Sequence, residues 1–329
     1  MKQARTVCLG AAILIALAIG APAAVGSGGP IIPSGVYGGD GPTGPGGRPG
    51  SEFRYVTVGG DPTIIERIST AEGTVGRFRP LSGSWALPAV TVLGEPGGLS
   101  ADGATLVLVR PAYGPRGGTS RMLVLDTNRF ETRRRVMLDG TFSFDAISPN
   151  GRLLYLVQYA SPRDPLDYRV RRFDLASGEF RGGAIVDPDE PDEKMTGQPV
   201  ARRTSPDGAW AYTLYGGEHT FVHALNTERG QAQCVDLDQF GPRDLYSLDL
   251  SVDSASGEIT VLRKGEPAAT VDPRSFAVGP PTVAEGSPPD PETQGSSAAW
   301  IGPVAIVAGI GLAIGALVVT LRRRRRAIA

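Results

Sequence analysis

The sequence predicts an all-β fold, and two observations carry the prediction. A polar turn ending in glycine recurs four times, each time leading into a short apolar run. A second apolar run, closed by an Asp or Asn turn, follows each one after about 20 to 26 residues. A third observation places the repeats: both ends of the chain are apolar, in ways that predict export and one membrane span.

The first landmark reads Ser100-Ala101-Asp102-Gly103, then Ser148-Pro149-Asn150-Gly151, then Ser205-Pro206-Asp207-Gly208. A stretched fourth copy runs from Ser251 through Asp253 to Gly257. The chemistry suits a hairpin: Ser or Asp bonds nearby backbone, Pro fixes φ, and Gly accepts a positive φ. The second landmark closes on Asp126, Asp174, Asn226 and, more weakly, Asp272, with an unpaired earlier copy at residues 64–73. Copies are spaced by about 46 to 57 residues, the length of a four-stranded blade. Each unit therefore reads as strand, Ser-turn, strand, loop, strand, Asx turn, strand. The sum is a β-propeller of about five blades over residues 52–278. A first blade would comprise residues 53–58, 64–69 and 89–93, with 78–88 as an insertion. Its innermost strand would come from residues 31–37 or from the other terminus.

These turns carry a resemblance. The Ser-Pro-Asp-Gly sequence before an apolar strand is similar to the repeat of TolB-like and WD-repeat-like propeller proteins, over about residues 53–283, with the Ser205 copy the best match. Ala101 in place of proline and Asn150 in place of aspartate depart from it. The resemblance implies association with partner proteins at the cell envelope. Arginine far outnumbers lysine, which occurs only at Lys2, Lys194 and Lys264, and Ala, Gly and Pro are abundant. That composition resembles proteins of GC-rich genomes such as those of actinobacteria.

The ends set the topology. Lys2 and Arg5, the apolar residues 7–20 and Ala21-Pro22-Ala23 form the three parts of a signal peptide over residues 1–23. Cys8 precedes the apolar region, where a lipidated cysteine would not lie, and leaves with the signal. Residues 24–51 are a Gly/Pro-rich leader, and 279–299 a Pro-rich stalk. Residues 300–321 are uncharged and long enough for a transmembrane helix, and Arg322 opens a run of five arginines in the tail 322–329. The expected localisation is the cell membrane, single-pass, with the body extracytoplasmic and the C-terminus cytoplasmic. Gly311 and Gly315 form a GxxxG that allows a helix-mediated dimer. The stretch Asp290-Pro291-Glu292-Thr293-Gln294-Gly295 departs from a cell-wall sorting signal at two defining positions.

Charge and cysteine usage narrow the function. Setting aside the seven basic residues of the two ends leaves 26 Lys and Arg against 34 Asp and Glu. The outer part is thus net acidic, which disfavours nucleic acid as a partner. Once the signal is gone, Cys234 is the remaining cysteine and no intramolecular disulfide can form. In a strand-like run, it reads as a small buried hydrophobe.

Catalytic chemistry is sparse. His219 and His223 lie about 13 Å apart along a strand, too far to share an ion. The acidic run from Asp187 to Glu193 reads as a solvated loop, because its prolines keep it extended. The arginines at 133–135 and 169–172 read as solvated faces. No serine-nucleophile elbow, phosphate-cradling loop or metalloprotease helix is present. The reading is a membrane-anchored, non-catalytic binding or scaffolding module with no catalytic residues, no metal ligands and no cofactor. Its partner would be a protein or small ligand outside the membrane, with the bilayer held by the C-terminal helix. The alternative is a propeller hydrolase or lyase with an acidic, metal-assisted site in the central channel, built on Asp145, Asp207 and Asp249.

Overall fold

The computed structural model describes residues 35–37 (backbone pairing only), 52–111, 118–161, 167–192, 196–217 and 219–281. The expected signal peptide, transmembrane helix, basic tail and most of the stalk lie outside the described residues. Among the described residues no helix is long and apolar enough to cross a membrane.

Five antiparallel sheets follow one another along the chain, each pairing strands in sequence order. The first holds β1 (Gly35–Tyr37), β2 (Phe53–Val58), β3 (Thr63–Ser69) and β4 (Val75–Leu81). The second holds β5 (Thr105–Val109), β6 (Thr119–Asp126) and β7 (Glu131–Asp139). The third is β8 (Phe142–Ile147), β9 (Leu153–Tyr159), β10 (Tyr168–Asp174) and β11 (Glu179–Ile185). The fourth is β12 (Gln198–Thr204), β13 (Trp210–Gly216), β14 (Phe221–Asn226) and β15 (Gln231–Asp236). The fifth is β16 (Leu248–Val252), β17 (Ile259–Arg263), β18 (Glu266–Val271) and β19 (Val278–Gly279). This is a propeller-like, all-β architecture.

Both repeated turns sit where the sequence puts them, and their bonds say why. Ser205 Oγ accepts the N–H of Trp210 at 2.9 Å while Asp207 accepts that of Ala209, closing the β12–β13 turn. Ser100 and Ser148 repeat the arrangement with Thr105 and Leu153. In the second turn, Asp126, Asp174, Asn226 and Asp272 each accept two successive N–H groups ahead of them. A local side-chain acceptor thus replaces the ladder bonds that the chain gives up at each reversal.

The first sheet departs from the expected one. Its outer strand is β4, within and just before the stretch expected to be an insertion, while residues 89–93 form no strand of it: Ala89 bridges Pro96 and the Val92 N–H donates to the Pro199 carbonyl. Strand β4 is exposed along most of its length, so it carries no apolar alternation to mark it. Strand β1 pairs with β2 from Gly35↔Thr57 to Tyr37↔Tyr55, so the innermost strand comes from within residues 31–37. In the second sheet, Val107 N–H donates to the Gly98 carbonyl at 2.8 Å, and Leu99 bridges Leu106 beside it. That short segment stands in for a regular first strand.

Consecutive sheets bury apolar layers between them. Tyr55 and Ile65 pack with Leu106 and Leu123, joining the first sheet to the second. Val124 and Val136 meet Leu154 and Phe173, joining second to third. Tyr155 and Val170 meet Leu225, and Val222 and Val235 meet Leu250 and Val261, joining third to fourth and fourth to fifth. Burial of such faces, worth about 25 cal/mol per Å² of apolar surface, holds the sheets together without a disulfide.

Arginines add a second, polar set of ties. Arg77 on β4 donates to the Asn128 carbonyl at 2.7 Å, Arg134 on β7 donates to the Leu175 carbonyl, and Arg172 on β10 donates to the Arg229 carbonyl at 2.9 Å. Each reaches from one sheet to the Asx turn of the next. Arg134 and Arg172 are therefore more than the solvated faces expected for the two basic runs.

Candidate functional site

Charged side chains of three sheets meet at their first strands. Asp145 sits at a slip in register between β8 and β9, and such a bulge turns a side chain out of the regular alternation. It bonds Arg202 of β12, and both side chains are buried. Next along the strand, Arg203 reaches Glu95 at 2.7 Å and Asp249 of β16 at 2.8 Å. The Arg202 N–H also donates to Glu95, at 2.9 Å. Of the three carboxylates expected to converge, Asp145 and Asp249 are each paired with a different arginine, Arg202 and Arg203 of β12. Asp207 instead accepts from Ser205 Oγ in its own turn, at 2.5 Å.

A cleft of about 400 Å³ opens elsewhere, between the third and fourth sheets. Its walls come from the start of β10, the end of β11 and the loop after it, the start of β14 and the end of β15. Apolar Val170, Ile185 and Phe221 line it beside Asp187, Glu190 and Asp236. Alternation explains the lining on the fourth sheet. Leu225 faces the third sheet and Val222 the fifth, so Phe221 and His223 share the Leu225 face.

His219, His223, Cys234 and the acidic loop, read separately from the sequence, all border this one cleft. His223 and Cys234 are direct partners across β14 and β15. Asp187 is buried beside them, its Oδ2 accepting from Gln233 Nε2 at 2.9 Å and from the Cys234 N–H at 2.7 Å. The acidic loop is thus pinned at its first residue to the fourth sheet, while Asp189 and Glu190 beyond it stay exposed. At the rim, His219 Nε2 lies 2.8 Å from Asp236 Oδ1, with both side chains well exposed.

His223 is 3 % exposed, and burial is the main cause that pushes its pKa down to about 4. Asp145 and Asp187 oppose the shift and Arg202 adds to it. The imidazole is consequently neutral at ordinary pH. Two groups of potential ligands also fall here. Donor atoms of Asp187, Glu190 and Cys234 lie within 4.8 Å of one another, and so do those of His219, Asp236 and Asp238.

The sequence held one signal for the His223–Cys234 pair. The Asx turn that starts at Asn226 pairs it with Gln231, and stepping back along both strands pairs His223 with Cys234. The arrival of Asp187 depends on how two sheets pack, and has no local signal.

No family model and no curated protein matches this sequence. Among solved structures, a functionally unknown protein from Desulfotomaculum acetoxidans DSM 771 is similar at 18% identity and a TM-score of 0.42, with 69% of this chain and 65% of that one covered. TolB from Acinetobacter baumannii aligns at 13% identity and 0.37, covering 65% and 49%. The β-propeller domain of Cps50 (Swd1) from Myceliophteria thermophila aligns at 10% and 0.38, covering 65% and 59%. The chain spans just under two thirds of the first of these, and its architecture rests on its own five sheets.

Proposed function

We propose that this chain is a membrane-anchored, extracytoplasmic propeller that acts as a non-catalytic binding module at the cell envelope. Its partner is taken in the cleft between the third and fourth sheets. The anchor rests on the signal-like and span-like ends of the sequence. The cleft itself carries the binding reading: it is large enough for a side chain or small ligand, and it mixes apolar walls with carboxylates. Its acidic lining favours a partner that presents a basic or polar group. The enzymatic alternative needs free carboxylates in the channel, whereas Asp145 and Asp249 are each engaged by an arginine.

The test is photo-crosslinking in cells with the full-length protein. A photoreactive residue replaces Val186, which borders the cleft, or Phe78 of β4 as a control. A stoichiometric adduct from position 186 that is absent from 78, and that survives exchange of the membrane span, is the expected result. Adducts that follow the span, or none at 186, would sink the proposal.

A further inference from the structure

Side chains from two sheets converge at one end of the cleft. His223 and Cys234 are cross-strand partners, and such partners point to one face with Cβ atoms about 4.5–5.5 Å apart. From the other side, the loop after β11 brings Asp187 and Glu190, whose carboxylate oxygens lie within 4.8 Å of each other and of Cys234 Sγ. Acidic groups near a thiol are common and alone mean little. His223 is the distinguishing observation. It is 3 % exposed, it lines the cleft, and none of the side-chain hydrogen bonds among the described residues reaches its ring. A histidine so little exposed, with no hydrogen bond to its ring, is uncommon and calls for a reason. Thr213, the register partner of His223 on β13, has a buried Oγ1 that lacks a hydrogen-bond partner.

We propose that this end of the cleft is a zinc-class cation site, with the Cys234 thiolate, one His223 nitrogen and the Asp187 and Glu190 carboxylates as ligands. The donor set selects the ion class. A thiolate with an imidazole suits a borderline-soft divalent ion, and hard calcium or magnesium would take oxygen alone. Donor atoms of Asp187, Glu190 and Cys234 already lie within 4.8 Å of one another, and His223, outside that group, would have to turn its ring toward them to complete four ligands. The Thr213 hydroxyl then accepts the remaining ring N–H, the arrangement that orients most metal-bound histidines. On binding, the thiol proton passes to solvent and the imidazole binds through its unprotonated nitrogen. Four protein ligands close the coordination sphere, which suits an ion that fixes the cleft wall rather than one that activates water. This site deepens the reading of the cleft as a binding site and rests on it. The two fail separately, because the ion is read on purified protein with no partner present.

The experiment is titration of chelator-stripped, reduced full-length protein with cobalt and then zinc. One cobalt per chain with a thiolate-to-metal charge-transfer band, displaced by zinc, is expected. Cys234→Ser abolishes the band. His223→Gln weakens zinc by more than about 100-fold, and Thr213→Val by about tenfold. His219→Ala, at the separate rim cluster, leaves both readouts unchanged. Melting of the metal-free variants against metal-free wild type checks that each is folded. A wild type without the band overturns the proposal whatever the variants do. So does zinc affinity that is unchanged in folded His223→Gln, or a band lost in His219→Ala.

Discussion

The hydroxyl of Tyr155, on β9, donates to the carbonyl of Thr227 in the fourth sheet across 2.8 Å. Tyr155 has no measurable exposure, and its phenol is pushed up to about 12, chiefly by burial. The bond therefore crosses an apolar layer with both groups removed from water. Tyr155→Phe keeps the ring and leaves the carbonyl to lose a partner, which costs about 1–3 kcal/mol. Urea unfolding should show a lower midpoint with an unchanged slope. An unchanged midpoint would mean that the bond contributes nothing net.

Arg202 and Asp145 give a larger contrast. Their side chains are 9% and 5% exposed, so removing one partner strands the other charge in the interior. Arg202→Met should cost about 3–5 kcal/mol, and the double variant Arg202→Met with Asp145→Leu should recover most of it. Asp249→Ala is the comparison, because that carboxylate is 49% exposed and Arg203 keeps Glu95. Its cost should stay below about 1 kcal/mol. Chemical denaturation of the four proteins tests the ordering, and equal losses for Arg202→Met and Asp249→Ala would contradict it.

The turns and most strands were legible because their causes are local. Ser205, Asp207 and Gly208 close their turn within five residues, and Asp174 or Asn226 cap theirs within three. Strand β4 was not legible, because an edge strand that buries little has no reason to alternate. The first strand of the second sheet was hidden for another reason: only the short stretch around Leu99 fills its place. In the cleft, the parity of β14 and the Asx turn were enough to place His223 beside Cys234. Asp187 reached them through the packing of the third sheet on the fourth, and no run of residues encodes that distance.

Asp174 links a turn to pH. Its carboxyl is held below the usual 3.8, first by the Ala176 N–H, with burial opposing and Arg152 and the Ser177 N–H adding to the lowering. It lies under the exposed Arg152 and Arg181, at 3.2 and 3.5 Å. A lowered native pKa adds stability that is present above the unfolded value and lost as pH falls through the native one. Asp174→Asn removes that contribution. Its stability should be lower at neutral pH and should fall less steeply than wild type in acid, below about pH 5. Urea midpoints across a pH series measure this, and two parallel curves would rule out the linkage.

Two glycines separate backbone strain from packing. Gly208 and Gly257 both have φ of +76°, so alanine at either meets the same left-handed penalty of about 1–2 kcal/mol. Their surroundings differ. A Cβ on Gly208 would lie 2.2 Å from the Cβ of Ala101 in the corresponding turn of the second sheet, whereas one on Gly257 would meet nothing closer than 3.9 Å. Ala101 is itself held in place, because the neighbouring Asp102 N–H donates to the Pro149 carbonyl at 3.1 Å in the third sheet's turn. The Ser-turns of three sheets are thus packed against one another, and none can withdraw without disturbing the next. Gly208→Ala should therefore cost about 1–3 kcal/mol more than Gly257→Ala, the usual range for overpacking. Thermal unfolding of the two variants reads the difference directly. Equal losses would mean that the turns part freely, and that the first-strand ends are held by the arginine ion pairs instead.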